Sequence, residues 1–492
     1  MRGLSLRSVF LAAGFSAALI LVPLGLHIAK VHAAVGAEGT PQTTQKDQVD
    51  LAVTVYNSNL ALVRDTRQIT MPSGTFPLRF EDVAASINPA TVHFRSLTEP
   101  ERLAVVEQNY EYDLLDPQKL LQKYVGREVT LVRRVQEAST TKWEEVKGLL
   151  LADNNGPVWK IGNEIVTGMQ ADSYRFPELP GNLYSRPTLL WLLENKGAAA
   201  QRVEASYLTG NVNWNADYVL TVGRDEKSAD LDGWVTLVNS SGTAYKNAKL
   251  QLVAGEIHRA APQVQAYPES AMMARAAPAA PQFQQEAFSE YHLYTLGRRT
   301  SIENNESKQI SLLNASGVTV AKAFVVLGQQ GYYRGPQPPG EPWKQPVRVY
   351  YRFKNEEKSG LGMPLPAGTV RVYQADSRGS LQFVGEDNIT HTPKDENLNI
   401  YVGDAFDIVC ERKQTDYRRI SDRVFEMEFQ ITIRNHKDTP VTVEVREPIG
   451  GDWEVLNSTF KWTKLDAFTI GFNVPVDKDG TATLDYRVRV RW

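Results

Sequence analysis

Carboxylates lying close to aromatic rings are the residues of this chain best suited to chemistry. Asn213, Trp214, Asn215, Asp217 and Tyr218 fall within one short stretch. An indole or phenol face stacks on a sugar ring while amides and a carboxylate hydrogen-bond its hydroxyls, which makes this stretch a candidate ligand surface. Asp230 and Asp232 follow soon after. With Asp217 they offer the makings of a glycosidase pair, a chemistry that needs two carboxylates facing each other across a bond. The competing reading puts Trp214 in a core, where tryptophan usually goes, and leaves Asp217 and the asparagines to form turns.

Elsewhere the chemistry thins out. The chain has no Gly-x-Ser-x-Gly elbow, no His-Glu-x-x-His, no phosphate loop and no Cys-x-x-Cys. His93, His258, His292, His391 and His436 have no second histidine or cysteine at a metal-ligand spacing. Cys410 is the only cysteine, so no internal disulfide can form, and its apolar run (406–410) marks it as a core thiol. Asp477-Lys478-Asp479-Gly480 suggests a calcium loop, but the glycine comes too early; a hairpin turn between 472–474 and 482–490 accounts for the same residues. No catalytic, cofactor-binding or metal-binding residue is assigned.

The elements that must position these residues are strands. Phe425, Met427, Phe429, Ile431 and Ile433 alternate with polar residues, and after a polar turn Val441, Val443 and Val445 do the same. Alternation of this kind wets one face of a sheet and buries the other, and two such runs predict a hairpin. The spacing repeats to the end of the chain at sandwich-like intervals. Leu484, Tyr486, Val488, Val490 and the terminal Trp492 also fit the closing strand of an outer-membrane barrel, although Arg487, Arg489 and Arg491 line the other face. One helix stands out: Asp116 as N-cap, Pro117 in the first position and Gly126 beyond the end. The short strands after it suggest a small barrel of the SH3 or Sm type.

At the N-terminus, Arg2 and Arg7 precede an apolar run (9–26) and then Val31-His32-Ala33, the parts of a secretory signal peptide. If the run stays uncut, it becomes a membrane anchor. The net charge of −3 includes three basic residues of this leader, so the mature chain is more acidic still and lacks a nucleic-acid footprint.

Several motifs between 203 and 492 carry a family resemblance. They are Tyr207-Leu208-Thr209, Asn213-Trp214-Asn215-Ala216-Asp217-Tyr218, Leu231-Asp232-Gly233-Trp234 and Leu250-Gln251-Leu252-Val253-Ala254-Gly255. Pro364-Leu365-Pro366-Ala367-Gly368 and Gly403-Asp404-Ala405-Phe406-Asp407 complete the set. On these the chain resembles the bacterial domain-of-unknown-function family that forms the C-terminal half of mucoidy-inhibitor-A-like proteins. The resemblance implies an exported, β-rich protein and brings no catalytic residues. A long coiled-coil segment before the domain is missing here.

The expected organisation is mainly β: antiparallel β-sandwich domains, a small SH3/Sm-like barrel and few helices. A signal peptide (1–33) and flexible leader (34–50) precede an N-terminal β region (51–112) and the barrel-like domain (113–180). A sandwich (187–330) with a disordered insert (260–287), a Pro-rich connector (331–346) and an Ig-like C-terminal sandwich (347–492) follow. The function expected is that of a non-catalytic binding or scaffolding protein of the bacterial envelope, periplasmic or at the cell surface, acting through sandwich faces and loops. Its partner would be an envelope protein or a glycan, with no cofactor and no nucleic acid, and with membrane contact only through an uncleaved leader. The rival readings are a carbohydrate-active hydrolase using acids near Trp214 and an outer-membrane β-barrel.

Overall fold

A computed structural model describes residues 40–492 apart from 112–114, 138–139, 170, 181–182, 184–185, 256, 259–281 and 339–341. The signal segment and most of the expected insert therefore lie outside the described residues. The fold is mainly β, with one α-helix among the described residues, Pro117–Lys123. Two compact units divide the chain, and neither is continuous in sequence.

The smaller unit gathers residues 69–83 and 99–201 with 40–47. Gln42–Thr43, Gly74–Glu81, Thr188–Asn195 and Leu103–Glu111 form a four-stranded sheet in that order. Phe76, Leu78, Phe80, Leu189, Trp191 and Leu193 are buried on it, with Phe80 and Trp191 meeting edge to face at 5.3 Å. Residues 42–50 are thus not a free leader: Gln42–Thr43 pairs parallel with Gly74–Glu81, Gln48–Tyr56 is a strand, and Thr43 is buried. Thr188–Asn195, expected to open a sandwich, lies in this sheet instead.

The helix begins as the sequence predicts. The Asp116 carboxylate accepts hydrogen bonds from the Gln118 and Lys119 amides, both at 2.9 Å, satisfying two donors that have no partner within the helix. Gly126, at φ +83°, takes the left-handed turn beyond its end. Five antiparallel strands follow in the order Glu164–Thr167, Pro157–Ile161, Thr140–Asp153, Glu128–Glu137 and Ser173–Arg175. Tyr124, Val129, Leu131, Leu150 and Trp159 are their core. The expected barrel is an open sheet: Glu164–Thr167 and Ser173–Arg175 are its two edges and do not pair with each other. Short strands separated by turns reveal a meander, but they do not say whether its ends meet.

The larger unit holds residues 48–68, 84–98 and 202–492. Its first layer is an eight-stranded sheet in which Gln48–Tyr56 runs parallel to Tyr245–Ala254. Its second is ordered Glu306–Thr319, Ser228–Asn239, Val212–Val222, Gly368–Ala375 and Leu381–Ile389. Trp214 on the second layer meets Tyr294 on the first at 6.4 Å between ring centroids. Phe283–Phe288 is a strand paired with Tyr291–Leu296, so the last residues of the expected insert belong to the sheet.

The second sandwich pairs two more sheets. One is ordered Asn397–Asp404, Arg348–Lys354, Ala321–Leu327, Val441–Pro448, Thr469–Val476 and Trp462–Lys464. The other runs Trp343–Gln345, Ile408–Arg419, Val424–Asn435, Thr481–Arg491 and Asp452–Ser458. Met427, Phe429, Ile431, Ile433, Val443, Val445, Leu484, Tyr486 and Val488 fill the space between them. The terminal strand is thus a sandwich strand, flanked on both sides by its neighbours.

Three expectations of connection change here. Val424–Asn435 and Val441–Pro448 do not form a hairpin; each pairs within its own sheet, and the turn between them crosses the sandwich. The turn at 477–480 likewise passes from Thr469–Val476 in one sheet to Thr481–Arg491 in the other. The boundary at 331–346 does not separate two sandwiches. Gly368–Ala375 joins the first beside Val212–Val222, and Ala321–Leu327 joins the second beside Val441–Pro448, both by parallel pairing. Alternation tells which face of a strand is buried, but not which strand lies beside it.

Candidate functional site

The predicted surface at 213–218 lies within the strand Val212–Val222, where side chains alternate strictly between buried and outward positions. Trp214, 1% exposed, and the fully buried Tyr218 point into the sandwich. The Tyr218 hydroxyl donates to the Pro366 carbonyl at 2.8 Å, and burial lifts its phenol well above the ordinary range. The faces on which a sugar would stack are therefore inside the core, and the asparagines and Asp217 belong to a strand rather than to turns.

The polar members face outward. The Asn213 side-chain oxygen accepts weakly from the Asn59 amide at 3.4 Å, and Asn215 is exposed. Asp217 accepts from Thr236 Oγ1 at 2.6 Å and pairs with Arg371 at 2.9 Å. Asp230 and Asp232 lie on the next strand and share the outward face with Asp217. The Gly317 amide donates to Asp230, and the Asn314 side-chain amide donates to Asp232. Each carboxylate thus holds a bond of its own within the sheet.

A family model described as a domain of unknown function, DUF4139, matches residues 203–450. The chain belongs to this family. No curated protein matches it. The DUF4139 segment covers most of both sandwiches, and its sequence motifs have structural work to do. Pro364 and Pro366 offer their carbonyls to the hydroxyls of Tyr294, on the first layer, and Tyr218, on the second. Gly368 lets its strand approach Val212–Val222 closely, since a Cβ there would stand 2.1 Å from the Ala216 carbonyl oxygen. Gly403 sits at φ +135°, a conformation suited to glycine, and opens the loop that leaves Phe406 95% exposed.

Cys410 matches the sequence reading. It is buried beside Ile408, and desolvation pushes its thiol up to about 12. Among the described residues no group of three His, Cys, Asp or Glu converges as a metal site.

Two features escaped the sequence. The first lies where the Pro-rich connector was expected. Tyr333, in the 3-10 turn Gln330–Tyr333, is fully buried, and its hydroxyl donates to Glu447 at 2.6 Å and lies 2.8 Å from the Tyr486 hydroxyl. Arg412 and Glu447 are both wholly buried and form an ion pair. The guanidinium also donates to Gln345 at 2.8 Å and Tyr486 at 3.0 Å and lies 4.9 Å from the Tyr332 ring centroid. The connector is therefore pinned to the second sandwich by a charged core. The prolines around it conceal this, because they read as a spacer whatever lies against them.

The second is an apolar edge. Asp452–Ser458 ends one sheet of the second sandwich and Trp462–Lys464 ends the other. The Trp453 and Trp462 rings meet edge to face at 6.0 Å, and the Trp453 indole donates to the Ala467 carbonyl at 3.0 Å. Every residue from 461 to 468 is exposed, with Trp462 at 36%, Leu465 at 51% and Phe468 at 55%. A signal was present: apolar residues three apart at 462, 465 and 468 break the two-residue period that surrounds them.

Proposed function

We propose that this DUF4139 chain is an exported, non-catalytic binding or scaffolding module of the bacterial envelope. On this reading it holds a protein partner against the aromatic edge of its second sandwich. The observation that carries the reading is the exposed set Trp462, Leu465 and Phe468, braced by Trp453. Large apolar side chains grouped on a surface and rimmed by charge, here Lys461, Lys464 and Asp466, are typical of interaction sites. Trp462–Lys464 is also a sheet edge, whose outer backbone groups can pair with an added strand. Export is supported by the basic, apolar and small-residue succession of the leader.

The test is photo-crosslinking in cells. A photoreactive residue at Leu465 or Phe468 should give one adduct of defined mass in the envelope fraction, whereas one at the exposed Lys413, on the far side of its sheet, should give none. Equal yields at all three positions would reject the binding edge. N-terminal sequencing of the cell-derived protein should begin at Ala34; an intact leader would replace release by anchoring.

A further inference from the structure

We infer that the smaller unit carries a binding cleft for a neutral saccharide, at one end of its five-stranded sheet and separate from the aromatic edge. The cleft has a volume of about 470 Å³. That falls within the range of small-molecule sites, roughly 300–1,000 Å³. One wall is the turn Asn154-Asn155-Gly156 with Pro157, and the other, at the end of the strand paired beside it with Thr167 next to Val158, is Thr167-Gly168-Met169. Tyr174 lines it from the edge strand Ser173–Arg175, its ring stacked on the buried Trp159 with centroids 5.8 Å apart and planes 22° apart.

The chemistry of the lining selects the ligand. Asn154, Asn155, Thr167 and Tyr174 bring amides and hydroxyls, and among the described residues their side chains make no hydrogen bond to the protein. Donors and acceptors without internal partners are free to take up a ligand's hydroxyls. Among the described residues no basic side chain lines the cleft, and the Asp153 carboxylate acts on Tyr174, so the site disfavours an anion. Ala152, Val158 and Met169 supply an apolar floor, and the Tyr174 ring, held in place by Trp159, supplies a face for the C–H side of a pyranose. Both walls turn through glycines at positive φ, Gly156 at +105° and Gly168 at +69°, which leaves the cleft mouth free of side chains at those points. A neutral sugar, with one apolar side and a rim of hydroxyls, matches this lining. An acidic sugar or a phosphate would meet no counter-charge among the described lining residues, and would meet the field of the Asp153 carboxylate at Tyr174.

The experiment uses the purified chain and ligand-observed saturation-transfer NMR with three probes: the disaccharide of N-acetylglucosamine, maltose and a galacturonate disaccharide. At least one neutral probe should bind saturably through its ring protons, and the galacturonate should not. The double variant Asn154→Ala/Asn155→Ala alters only exposed turn side chains, so it should keep the melting temperature while weakening binding about tenfold or more. Tyr174→Phe keeps the stacked ring and tests the hydroxyl separately, with a smaller loss. Absence of saturable binding by both neutral probes would overturn the inference. So would binding that the double variant leaves unchanged, or galacturonate bound as tightly as the neutral sugars. Because the crosslinking at 465 and 468 reads another surface of the chain, either result can fail without the other.

Discussion

Removing one partner of the Arg412–Glu447 pair should cost far more than removing both. Neither side chain has any exposed surface, so each charge depends on the other and on Tyr333, Tyr486 and Gln345 for its solvation. Glu447→Leu or Arg412→Met alone leaves one charge in the sandwich core with no counter-charge, and the first also removes the carboxylate to which the Tyr333 hydroxyl donates. Breaking a buried pair from one side costs about 3–5 kcal/mol. A domain of this size loses roughly 2–4 °C per kcal/mol, so the sandwich should melt roughly 6–20 °C lower. Arg412→Met/Glu447→Leu removes both charges and refills the space with apolar atoms, and such replacements are often neutral or stabilising. The double variant should therefore lie within about 1–2 kcal/mol of the parent, giving a coupling of several kcal/mol of opposite sign to the single losses. Because the chain holds two compact units, a single melting curve mixes them. Hydrogen exchange read on Ile408–Arg419 and Val441–Pro448 isolates the sandwich concerned. A single-variant loss below about 1 kcal/mol, or a double-variant loss equal to the sum of the singles, would refute the reasoning.

Two further outcomes follow from close packing. Gly368→Ala would drive a methyl group into the Ala216 carbonyl, so it should destabilise the first sandwich by about 3 kcal/mol or more, and wild-type stability would show that the strands separate readily. Cys410, buried and with its thiol near 12, should resist a thiol reagent at pH 8 in the native protein and react fully in denaturant; complete labelling of the native chain within minutes would place it at the surface.

What could be read from the sequence was local. The Asp116 cap, the alternation through 425–433 and the apolar setting of Cys410 are each decided by neighbours along the chain, and each appears as expected. The identity of the strand beside each strand depends on residues far away, and there the expectations failed. The hairpin at 424–448 and the turn at 477–480 are crossings between sheets, because a short polar turn serves either purpose. Trp214 and Tyr218 looked like a surface because polar residues separate them, yet in a strand that same spacing puts both aromatics inside. The buried charges at Arg412 and Glu447 went unread for another reason: they stand in phase with Ile408 and Cys410 and with Val443 and Val445, so alternation turns them inward, but a charge by itself reads as part of a wet face.

The parallel pairing of Gln48–Tyr56 with Tyr245–Ala254 sets a timetable for the chain. Ala52 lies opposite Lys249, and Thr54 bonds to Gln251 across 197 residues of sequence. At about 5–20 residues per second, a ribosome needs roughly 10–40 s to pass from one strand to the other. Through that interval the early strand has its hairpin partner Leu60–Thr70 on one side and bare backbone groups on the other. The first sandwich can therefore close only after half the protein has been made. On the export proposed above, such a delay would keep the first sandwich open during passage across a membrane, and the waiting edge is where wrong strand pairing would begin.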